Sequence, residues 1–415
     1  MLDLSQISAF IAERRRSMGL TQQQAAEKLG VSFQSVSKWE CGVAMPGVDM
    51  LLPLAELLDV TVDELLRGRS SGQTGMTYSR AGVNISSTDA IKTEMAKYVS
   101  HGHPRVLNQL GAFASLYDIR FPEIADPVLV LKSEEPGSKQ KIAMEYGYTK
   151  SICHDMINHL VNDIAVMGAK PLAVLDTVVC GSAERDTIHS FIEGMAEACT
   201  ANDCVLVGGE TSVQPGVVEK GTYILTASIA GICSREKVID GSRIEEGDVL
   251  LAVDSNGLHT NGYSLVRMMM DEMPQLAEEK VGNERFIEAI MRPHTAYYPV
   301  LRELMPMHGL HGMAHITGGG IAGNLSRILP DGLAAEIELS RLKPPTVFGC
   351  IKSNGGISDA EMLRTFNCGA GLILAAAPED APHMLAHLAR FCGAREIGCI
   401  CRGAGVHFTG AVKWE

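Results

Sequence analysis

The sequence lacks the features that would place it in a membrane or among disulfide-stapled secreted proteins. No stretch approaches the roughly 18 consecutive apolar residues that a membrane helix requires. No basic segment precedes an apolar core at the N-terminus, so no signal peptide is expected. The 11 cysteines are scattered without a CxxC pair, which predicts reduced thiols and argues against a zinc site. We therefore expect a cytoplasmic protein that makes no membrane contact.

Positive charge is also scarce. The 49 acidic residues outnumber the 36 basic ones and give a net charge of −13. This balance excludes non-specific nucleic-acid binding by the whole protein, so any contact with DNA must come from one local surface. The chain has 415 residues, 46% of them hydrophobic. That length and composition predict a globular protein of two or three domains.

Changes in composition divide the chain into four segments. Residues 1–68 have an all-helical pattern, and residues 69–77 have the Gly/Ser-rich composition of a linker. Beyond the linker, β-rich runs alternate with helical stretches, which is typical of α/β or α+β layers. A turn signal near residues 240–242 predicts a further boundary, so the body comprises domains at 78–240 and 241–415. The clearest strands and helices of the body are predicted at 127–131, 172–175, 204–207 and 249–253, and at 151–167 and 190–201.

The N-terminal segment has the pattern of five short helices. Thr21 is a good N-cap for a helix over residues 22–29, Gly30 suits a left-handed turn, and Ser32 caps a third helix that runs to about residue 40. Two short helices joined by a glycine turn form a helix-turn-helix. Trp39 is expected in the core. The remaining helices are predicted at 6–18, 46–58 and 62–66.

The string from Leu20 to Glu40, LTQQQAAEKLGVSFQSVSKWE, resembles the phage-repressor family of the Cro/cI (XRE) type. The resemblance implies that the third helix enters the major groove of double-stranded DNA. Glutamine pairs with adenine there, and lysine reaches guanine or phosphate. The DNA-binding candidates are Gln22, Ser32, Gln34, Ser37 and Lys38.

Affinity for DNA should depend on two copies of this module. Nine acidic residues outnumber seven basic ones over residues 1–69, so a single copy should bind weakly, and a homodimer on a two-fold operator is expected. A helical module for protein–protein contact is the alternative. Arg14, Arg15 and Arg16 are either a phosphate-contacting patch or a solvated helix face.

Three glycine-rich segments of the body have the composition of phosphate loops. They are Leu206–Thr211 (LVGGET), Ser255–Ser264 (SNGLHTNGYS) and His315–Asn324 (HITGGGIAGN). Glycine lets the backbone approach a phosphate, and N–H groups at the start of a helix favour an anion. Each segment taken singly is also compatible with an ordinary tight connection, but three together favour ligand binding.

Carboxylates in the first half of the body suggest a cation site. In the helix predicted at 151–167, Asp155, His159 and Asn162 share one face, and Asp163 lies beside it. Acidic groups on an otherwise apolar helix could coordinate Mg²⁺ beside a nucleotide. A solvated helix face is the alternative. Asp176 follows the predicted strand at 172–175, where a carboxylate often serves a site.

Taken in order, these segments resemble the phosphoribosylformylglycinamidine cyclo-ligase (AIR synthetase) family from about residue 77 to the end. The resemblance implies two α/β domains, with the N-terminal halves of two copies pairing into a dimeric β-barrel. It also implies ATP-dependent ring closure with Mg²⁺ on a purine-pathway nucleotide. The substrate amide oxygen is phosphorylated, the neighbouring amine attacks the activated carbon, and phosphate leaves. The matching segments are 78–84, 161–164, 168–171, 175–176, 207–211, 255–267, 315–324 and 362–371.

The resemblance also implies roles for individual residues. The catalytic candidates are Asp163, Asp176 and His315, of which His315 could equally be a structural histidine. The metal candidates are Asp155, Asp163 and Glu210. The ATP-binding candidates are Glu134, Gly137, Lys139, Asp155, Asn162, Gly208, Gly209, Glu210 and Thr211. The candidates for substrate phosphate or ribose are Ser255, His259, Asn261, Gly262, Thr317, Gly318, Gly319 and Gly320.

The sequence departs from the family pattern on the nucleotide side. Where the family has Gly-Thr-Asp-Gly-Val-Gly-Thr-Lys, residues 132–139 read KSEEPGSK, so two glycines become Lys132 and Glu135, and Pro136 removes an N–H donor. Residues 212–216 also lose a carboxylate of the pattern. Two hypotheses follow: a working cyclo-ligase that carries a DNA-binding domain, or a transcriptional regulator whose body senses a purine intermediate or nucleotide. A related phosphotransfer on another substrate is a third.

Overall fold

The computed structural model describes residues 3–70, 91, 93–99, 102–108 and 111–414. The chain forms two compact units, Met1–Ala81 and Gly82–Glu415, and each is described by itself. Most of the predicted linker and the matching segment at 78–84 lie outside the described residues. Among the described helices, none has both the length and the apolar character needed to cross a bilayer.

The N-terminal unit contains the five predicted helices. Thr21 caps the second helix in a capping box with Gln24, and Gly30 ends it at a left-handed φ of 67°. The Ser32 side chain accepts the N–H of Ser35 at the start of the third helix. The first helix begins two residues earlier than predicted, because the Asp3 carboxylate accepts two backbone N–H groups there. The helices are α1 (Leu4–Ser17), α2 (Gln22–Leu29), α3 (Phe33–Glu40), α4 (Val48–Leu57) and α5 (Val62–Arg67).

One small apolar core holds these helices together. Ala25 and Ala26 are almost fully buried, and their small side chains let α2 lie close against α3. Trp39 is 6% exposed, so its prediction as a core residue is confirmed. The core consists of Ile7, Ile11, Ala25, Ala26, Val36, Trp39, Leu54, Ala55, Leu58 and Leu65.

The first half of the body is a four-stranded sheet with helices on one face. Its strands are β1 (Pro127–Glu134), β2 (Lys170–Cys180), β3 (Val205–Val213) and β4 (Tyr223–Ser234), in the order β1-β4-β2-β3. Its helices are α6 (Lys139–Tyr146), α7 (Thr149–Ala165) and α8 (Arg185–Ala201). β2 and β3 run parallel and are joined through α8, whereas β4 is antiparallel to both of its neighbours. The other face of the sheet leaves Leu129, Leu131 and Leu175 about half exposed or more.

The second half is built around a mixed six-stranded sheet in the order β12-β9-β11-β5-β10-β8. Only β12 and β9 pair in parallel. β10 is buried along its whole length, which matches its continuous small and apolar sequence. The strands are β5 (Val249–Asp254), β8 (Leu310–His315), β9 (Leu333–Glu338), β10 (Ala370–Ala376), β11 (Ala394–Arg402) and β12 (Gly405–Thr409), beside a small hairpin of β6 (Lys280–Val281) and β7 (Glu284–Arg285).

Seven short helices complete this half, and one apolar cluster runs through both halves of the body. Multidomain α/β architecture is therefore confirmed. The predicted boundary at 240–241 lies between the last strand of the first sheet and the first strand of the second, and it stays a prediction. The helices are α9 (Tyr263–Glu272), α10 (Phe286–Ile290), α11 (Tyr298–Leu304), α12 (Gly320–Leu325), α13 (Thr346–Gly355), α14 (Asp359–Thr365) and α15 (Ala381–Leu388).

Candidate active site

One face of α7 holds a loop of the second half by its backbone. The Asp155 carboxylate accepts the N–H of His294 at 2.8 Å. The Asn162 side chain donates to the Thr295 carbonyl at 2.8 Å and accepts the N–H of Tyr297 at 3.0 Å. The predicted alignment of Asp155 and Asn162 on one face is confirmed. Asp155 and Asn162 thus contact the backbone of residues 294–297, whereas the sequence predicted contacts with Mg²⁺ and a nucleotide.

Lys139 and Asp155 form a fully buried ion pair at the junction of the two halves. The Lys139 Nζ lies 2.8 Å from the Asp155 carboxylate, 3.1 Å from the His259 carbonyl and 2.8 Å from the Arg292 carbonyl. Burial raises the pKa of Asp155 to about 6 although the Lys139 charge opposes the shift, and burial lowers the pKa of Lys139. Because all three donors of Lys139 are used inside the protein, the structure gives Lys139, Asp155 and Asn162 structural contacts in place of their predicted ligand contacts.

Four imidazoles meet beside this junction, and we call them the histidine cluster: His159, His259, His294 and His315. The rings of His259 and His294 stack with centroids 3.9 Å apart. His159 meets the edge of His315 at 5.2 Å. The Nε2 atoms of His294 and His315 lie 2.9 Å apart. Every member is at least nine-tenths buried.

Burial keeps three rings of the histidine cluster, those of His159, His259 and His294, neutral. Burial lowers the pKa of His159 to about 4, with the neighbouring His315 adding to the shift. Burial and the nearby histidines also hold the pKa values of His259 and His294 well below their ordinary range. The short contact between His294 and His315 requires one ring to donate and the other to accept, which neutral rings can do. The Nδ1 atoms of His259 and His294 are buried without a hydrogen-bond partner among the described residues.

Asp163 lies at the edge of the histidine cluster with a basic partner on each carboxylate oxygen. Oδ1 is 2.7 Å from Nδ1 of His315, and Oδ2 is 3.0 Å from Nζ of Lys132. The same Nζ is 3.0 Å from Oε2 of Glu134. Burial opposes ionisation of Asp163, but its hydrogen bond with His315 and the nearby charge of Lys132 hold its pKa well below the usual range. Asp163 is therefore ionised at neutral pH.

His315 is placed as an orienting group. Its Nδ1 contacts Asp163 and its Nε2 contacts His294, so neither ring nitrogen faces open space. A general acid or base needs a nitrogen within reach of the substrate. The geometry therefore favours the structural alternative for His315 over the predicted acid/base role.

A cleft of about 1020 Å³ lies against the exposed face of the first sheet. Asp176 and Glu210 line it together, and Leu131 and Leu175 form part of its apolar wall. Burial raises the pKa of Asp176 to about 7, and the nearby charge of Glu210 adds to the shift. The cleft also contains residues 207–209, Thr211 and parts of the segments 93–99 and 111–117.

Gly209 makes room for the Asp176 side chain. A Cβ placed on Gly209 would lie 2.0 Å from Oδ1 of Asp176, which no side chain can do without a shift of the backbone. The two residues are partners in the parallel pairing of β2 and β3. The Asp176 carboxylate, which crosses over Gly209, thus explains the second glycine of the LVGGET segment. The structure brings Gly208, Gly209, Glu210 and Thr211 together with Asp176, as the sequence predicted for a ligand site.

The two glycine-rich loops of the second half also come together. A Cβ on Gly318 would lie 3.0 Å from Oδ1 of Asn261, and Gly319 and Gly320 adopt left-handed φ values of 94° and 63°. Asn324 donates to the carbonyls of Thr317, Gly318 and Gly320 and so fixes the loop. The Gly320 N–H is also used inside the loop, where it donates to the Thr317 carbonyl at 3.2 Å.

Exposure separates the predicted substrate residues into two groups. Asn261, Gly262, Thr317, Gly318 and Gly319 are accessible, whereas Ser255, His259 and Gly320 are buried. The Ser255 hydroxyl donates to Asn367 at 2.9 Å. His259 is held at a left-handed φ of 62°. A small cleft of about 430 Å³ borders Asn261 and Gly262 and includes Ser138. Gly137, next to Ser138, packs against the Thr260 carbonyl.

The predicted metal set is not brought together as one site. Within the described part of the chain, neither Asp155 nor Glu210 belongs to any geometric group of three ligands. The sequence interpretation also missed His294 and the contacts of Lys132. His294 lies in a loop after α10 with no periodic signal, so only the fold reveals its neighbours. The three groups found are His259–His294–His315, His159–Asp163–His315 and Glu245–Asp248–His311.

In the N-terminal unit, α3 presents Gln34 and Lys38 to the outside and Ser37 in part. The predicted groove-facing side chains are therefore accessible. Ser32 is exposed and caps the helix. The Gln22 side chain already makes one hydrogen bond within the protein, because its amide donates to the Glu40 carboxylate at 2.7 Å.

The arginine run of α1 has a structural role. Arg15 is 8% exposed and pairs with Glu40, whose pKa is lowered by Arg15 and Gln22 despite the opposing effect of burial. The Arg14 guanidinium donates to the Leu58 carbonyl at 3.0 Å. For these two residues, neither alternative drawn from the sequence, a phosphate patch or a solvated face, is correct. Only Arg16 of the run is exposed.

Comparison with known proteins agrees with this division of the chain. Residues 11–65 match the helix-turn-helix family model. Residues 127–233 and 245–410 match the N-terminal and C-terminal domain models of AIR synthase related protein. A phosphoribosylformylglycinamidine cyclo-ligase from Xanthomonas oryzae pv. oryzae is 37% identical over 310 residues, which cover 74% of this chain and 91% of the relative. The chain belongs to the phosphoribosylformylglycinamidine cyclo-ligase family. The cyclo-ligase of Methylobacillus flagellatus is also 37% identical, over 75% of this chain and 90% of the relative.

Solved structures support the fold of the cyclo-ligase body. Thiamine-monophosphate kinase from Stenotrophomonas maltophilia has a TM-score of 0.57 and 20% identity, covering 78% of this chain and 96% of that one. HypE from E. coli has a TM-score of 0.57 and 19% identity, covering 78% and 94%. Both resemblances that the sequence suggested, to the helix-turn-helix repressors and to the cyclo-ligases, are confirmed.

Proposed function

We propose that the body is an ATP-dependent cyclo-ligase that closes the imidazole ring of formylglycinamidine ribonucleotide, and that the N-terminal unit binds double-stranded DNA. The observation that carries the proposal is the 37% identity with cyclo-ligases over 91% of their length. Two features of the body are the proposed binding sites for this reaction. They are the cleft at Asp176 and Glu210 and the accessible loops at Asn261 and Gly318.

ATP is proposed to bind in the cleft of the first sheet. Gly208, Gly209 and Thr211 line its polar end, where backbone and hydroxyl donors suit phosphate oxygens. Asp176 and Glu210 fit a Mg²⁺ carried by the nucleotide, since they are two carboxylates that line one cleft and repel one another. When bound, Mg²⁺ neutralises charge on the transferred phosphoryl group. Burial of Asp176 makes a cation there more favourable.

The accessible loop residues of the second half are proposed to hold the ribose phosphate of the substrate. Asn261, Thr317 and Gly318 converge at one edge of the sheet, and Asn324 occupies the carbonyls of the glycine loop. Such a loop can present its N–H groups to an anion. The Lys139–Asp155 pair and the Asn162 side chain join the two halves of the body through contacts with the carbonyls of His259, Arg292 and Thr295.

Release of ADP and phosphate tests the enzyme proposal. Purified full-length protein is supplied with Mg-ATP and formylglycinamidine ribonucleotide, beside the variant Asp176→Asn and the exposed control Asp331→Asn. Turnover that only Asp176→Asn loses would support the proposal. Loss of about 10²-fold or more is expected when a group at the reacting phosphate is removed.

A ligand-sensing regulator is the second candidate, and the altered segment at 132–139 favours it. If no variant and no wild-type preparation turns over, but formylglycinamidine ribonucleotide or ATP raises the melting temperature, the body is a sensor. A ligand present at about 100 times its Kd should add about 2.7 kcal/mol to the free energy of unfolding. Neither turnover nor ligand stabilisation would contradict both proposals.

A homodimer is proposed to bring two DNA-binding units onto one operator. The exposed Leu129 of β1, which lies outside the lining of the cleft, is proposed to pair with a second copy and close the two sheets into a barrel. For DNA, Gln34→Ala should cost about 1 to 3 kcal/mol of binding free energy on a duplex selected from a random pool. Lys28→Ala, on the exposed surface of α2, is the matched control. Selection of no duplex over random sequence would contradict DNA recognition.

A further inference from the structure

Lys132 extends from β1 into a small polar site formed by Asp163, Glu134 and His159. Its Nζ is 3.0 Å from Oδ2 of Asp163 and 3.0 Å from Oε2 of Glu134. Nε2 of His159 lies 3.7 Å from the same Asp163 oxygen and 3.9 Å from the same Glu134 oxygen. Two carboxylates and an imidazole thus converge on one ammonium group.

These are the ligand types that a divalent cation uses. Carboxylate oxygens suit Mg²⁺ and Mn²⁺, and an imidazole also suits Mn²⁺. His159, Asp163 and His315 indeed form one of the groups whose geometry could hold an ion. The Lys132 ammonium, however, occupies the space between the two carboxylates. A metal ion that bound Asp163 would have to displace the ammonium or accept its repulsion at close range.

The family pattern that residues 132–139 resemble has no lysine at the position of Lys132. In the family pattern a glycine stands at the position of Lys132, two residues before the acidic residue that Glu134 replaces. A glycine leaves the space between the carboxylates open. The two acidic partners keep the pKa of Lys132 raised although burial alone would lower it, so the side chain remains a cation at neutral pH.

We propose that Lys132 is a built-in cation that takes the place of a divalent metal ion at Asp163 and Glu134. Mg²⁺ therefore does not fit this site, and the only cation that a nucleotide brings is held at Asp176 and Glu210. The part of this inference that concerns the nucleotide rests on the proposed function, whereas the metal count at Asp163 does not.

The test is the number of Mn²⁺ ions bound by the full-length protein without nucleotide, measured by electron paramagnetic resonance and titration calorimetry. Lys132→Met removes the charge and keeps most of the volume, and Lys132→Gly restores the family residue. Both variants should bind one Mn²⁺ more than the wild type, with at least a tenfold gain in affinity at the new site. Lys132→Arg keeps the charge and should bind as the wild type does.

Asp163→Asn identifies the site. Combined with Lys132→Met, it should abolish the extra Mn²⁺, and in the wild-type background it should leave the count unchanged. The proposal is overturned if Asp163→Asn lowers the wild-type count, or if neither Lys132 variant gains an ion while circular dichroism shows that it is folded. Because no substrate is present, an inactive protein gives the same metal count, and failure of the proposed cyclo-ligase activity is distinguishable.

Discussion

Acid should destabilise the body through its histidine cluster. In an unfolded chain an imidazole has a pKa of about 6.5. In the folded body burial lowers the pKa of His159 to about 4 and holds those of His259 and His294 well below the ordinary value. Between about pH 6.5 and pH 4, these imidazoles are therefore protonated in the unfolded chain but stay neutral in the folded body. This contribution to stability is complete above about pH 6.5 and is lost as the pH falls towards 4.

The size of the effect follows from the number of neutral rings. Each imidazole that stays neutral in the folded body lowers the free energy of unfolding by about 1.4 kcal/mol for every pH unit below its unfolded pKa. Between about pH 7 and pH 5 this is about 2 kcal/mol for one histidine and about 6 kcal/mol for three, as an upper bound. The charged or titratable groups beside these rings are Asp155, Asp163, Glu134, Lys132 and Lys139. Asp163, whose pKa lies well below its usual range, does not titrate in this window.

Urea unfolding followed by far-UV circular dichroism at several pH values measures the loss. His294→Gln removes one ring, so the dependence of the unfolding free energy on pH should become about one third shallower, whatever the variant does to stability at pH 7. His383 is exposed, and His383→Gln is the matched control with an unchanged dependence. Protonation of Asp155 and Asp176, whose pKa values burial raises to about 6 and about 7, offsets part of the loss, so the comparison with the variant is decisive. An equal pH dependence in His294→Gln and the wild type would refute the reasoning.

Three further predictions concern single side chains. Lys139→Met should lower the free energy of unfolding by about 3 to 5 kcal/mol in urea, because it leaves Asp155 buried without its partner; a loss below about 1 kcal/mol would contradict this. Gly209→Ala should weaken ATP binding in calorimetry by about tenfold or more, since its Cβ would displace Asp176; an unchanged Kd would show that the cleft is not the nucleotide site. Leu129→Glu should dissociate the proposed dimer in sedimentation, because it buries a charge in an apolar interface; unchanged association would place the interface elsewhere.

Local sequence patterns predict much of the fold. The caps Thr21 and Ser32 and the left-handed Gly30 act within a few residues, so they located α2 and α3 without tertiary information. The apolar runs of β1 and β5 were recognisable for the same reason. The first turn of α1 was missed, because Asp3 stands before the periodic apolar positions begin.

The candidate site was predicted in part. Asp176 and the LVGGET segment meet in one cleft, because parallel pairing of β2 and β3 aligns the two strand ends. The roles of Lys139 and Asp155 were wrong, since a lysine and an aspartate in a ligand site look the same in sequence as a buried ion pair. Their partners, His259 and Arg292, are more than 100 residues away along the chain.

The sequence by itself determined the family, the helix-turn-helix and the glycine loops, because these depend on residues that are near one another in the chain. Only the tertiary structure decided which polar groups face a ligand and which hold the fold together. Burial and long-range contacts set that difference. The histidine cluster and the ammonium of Lys132 between Asp163 and Glu134 exist only because β1, α7 and the loop at His294 pack against one another.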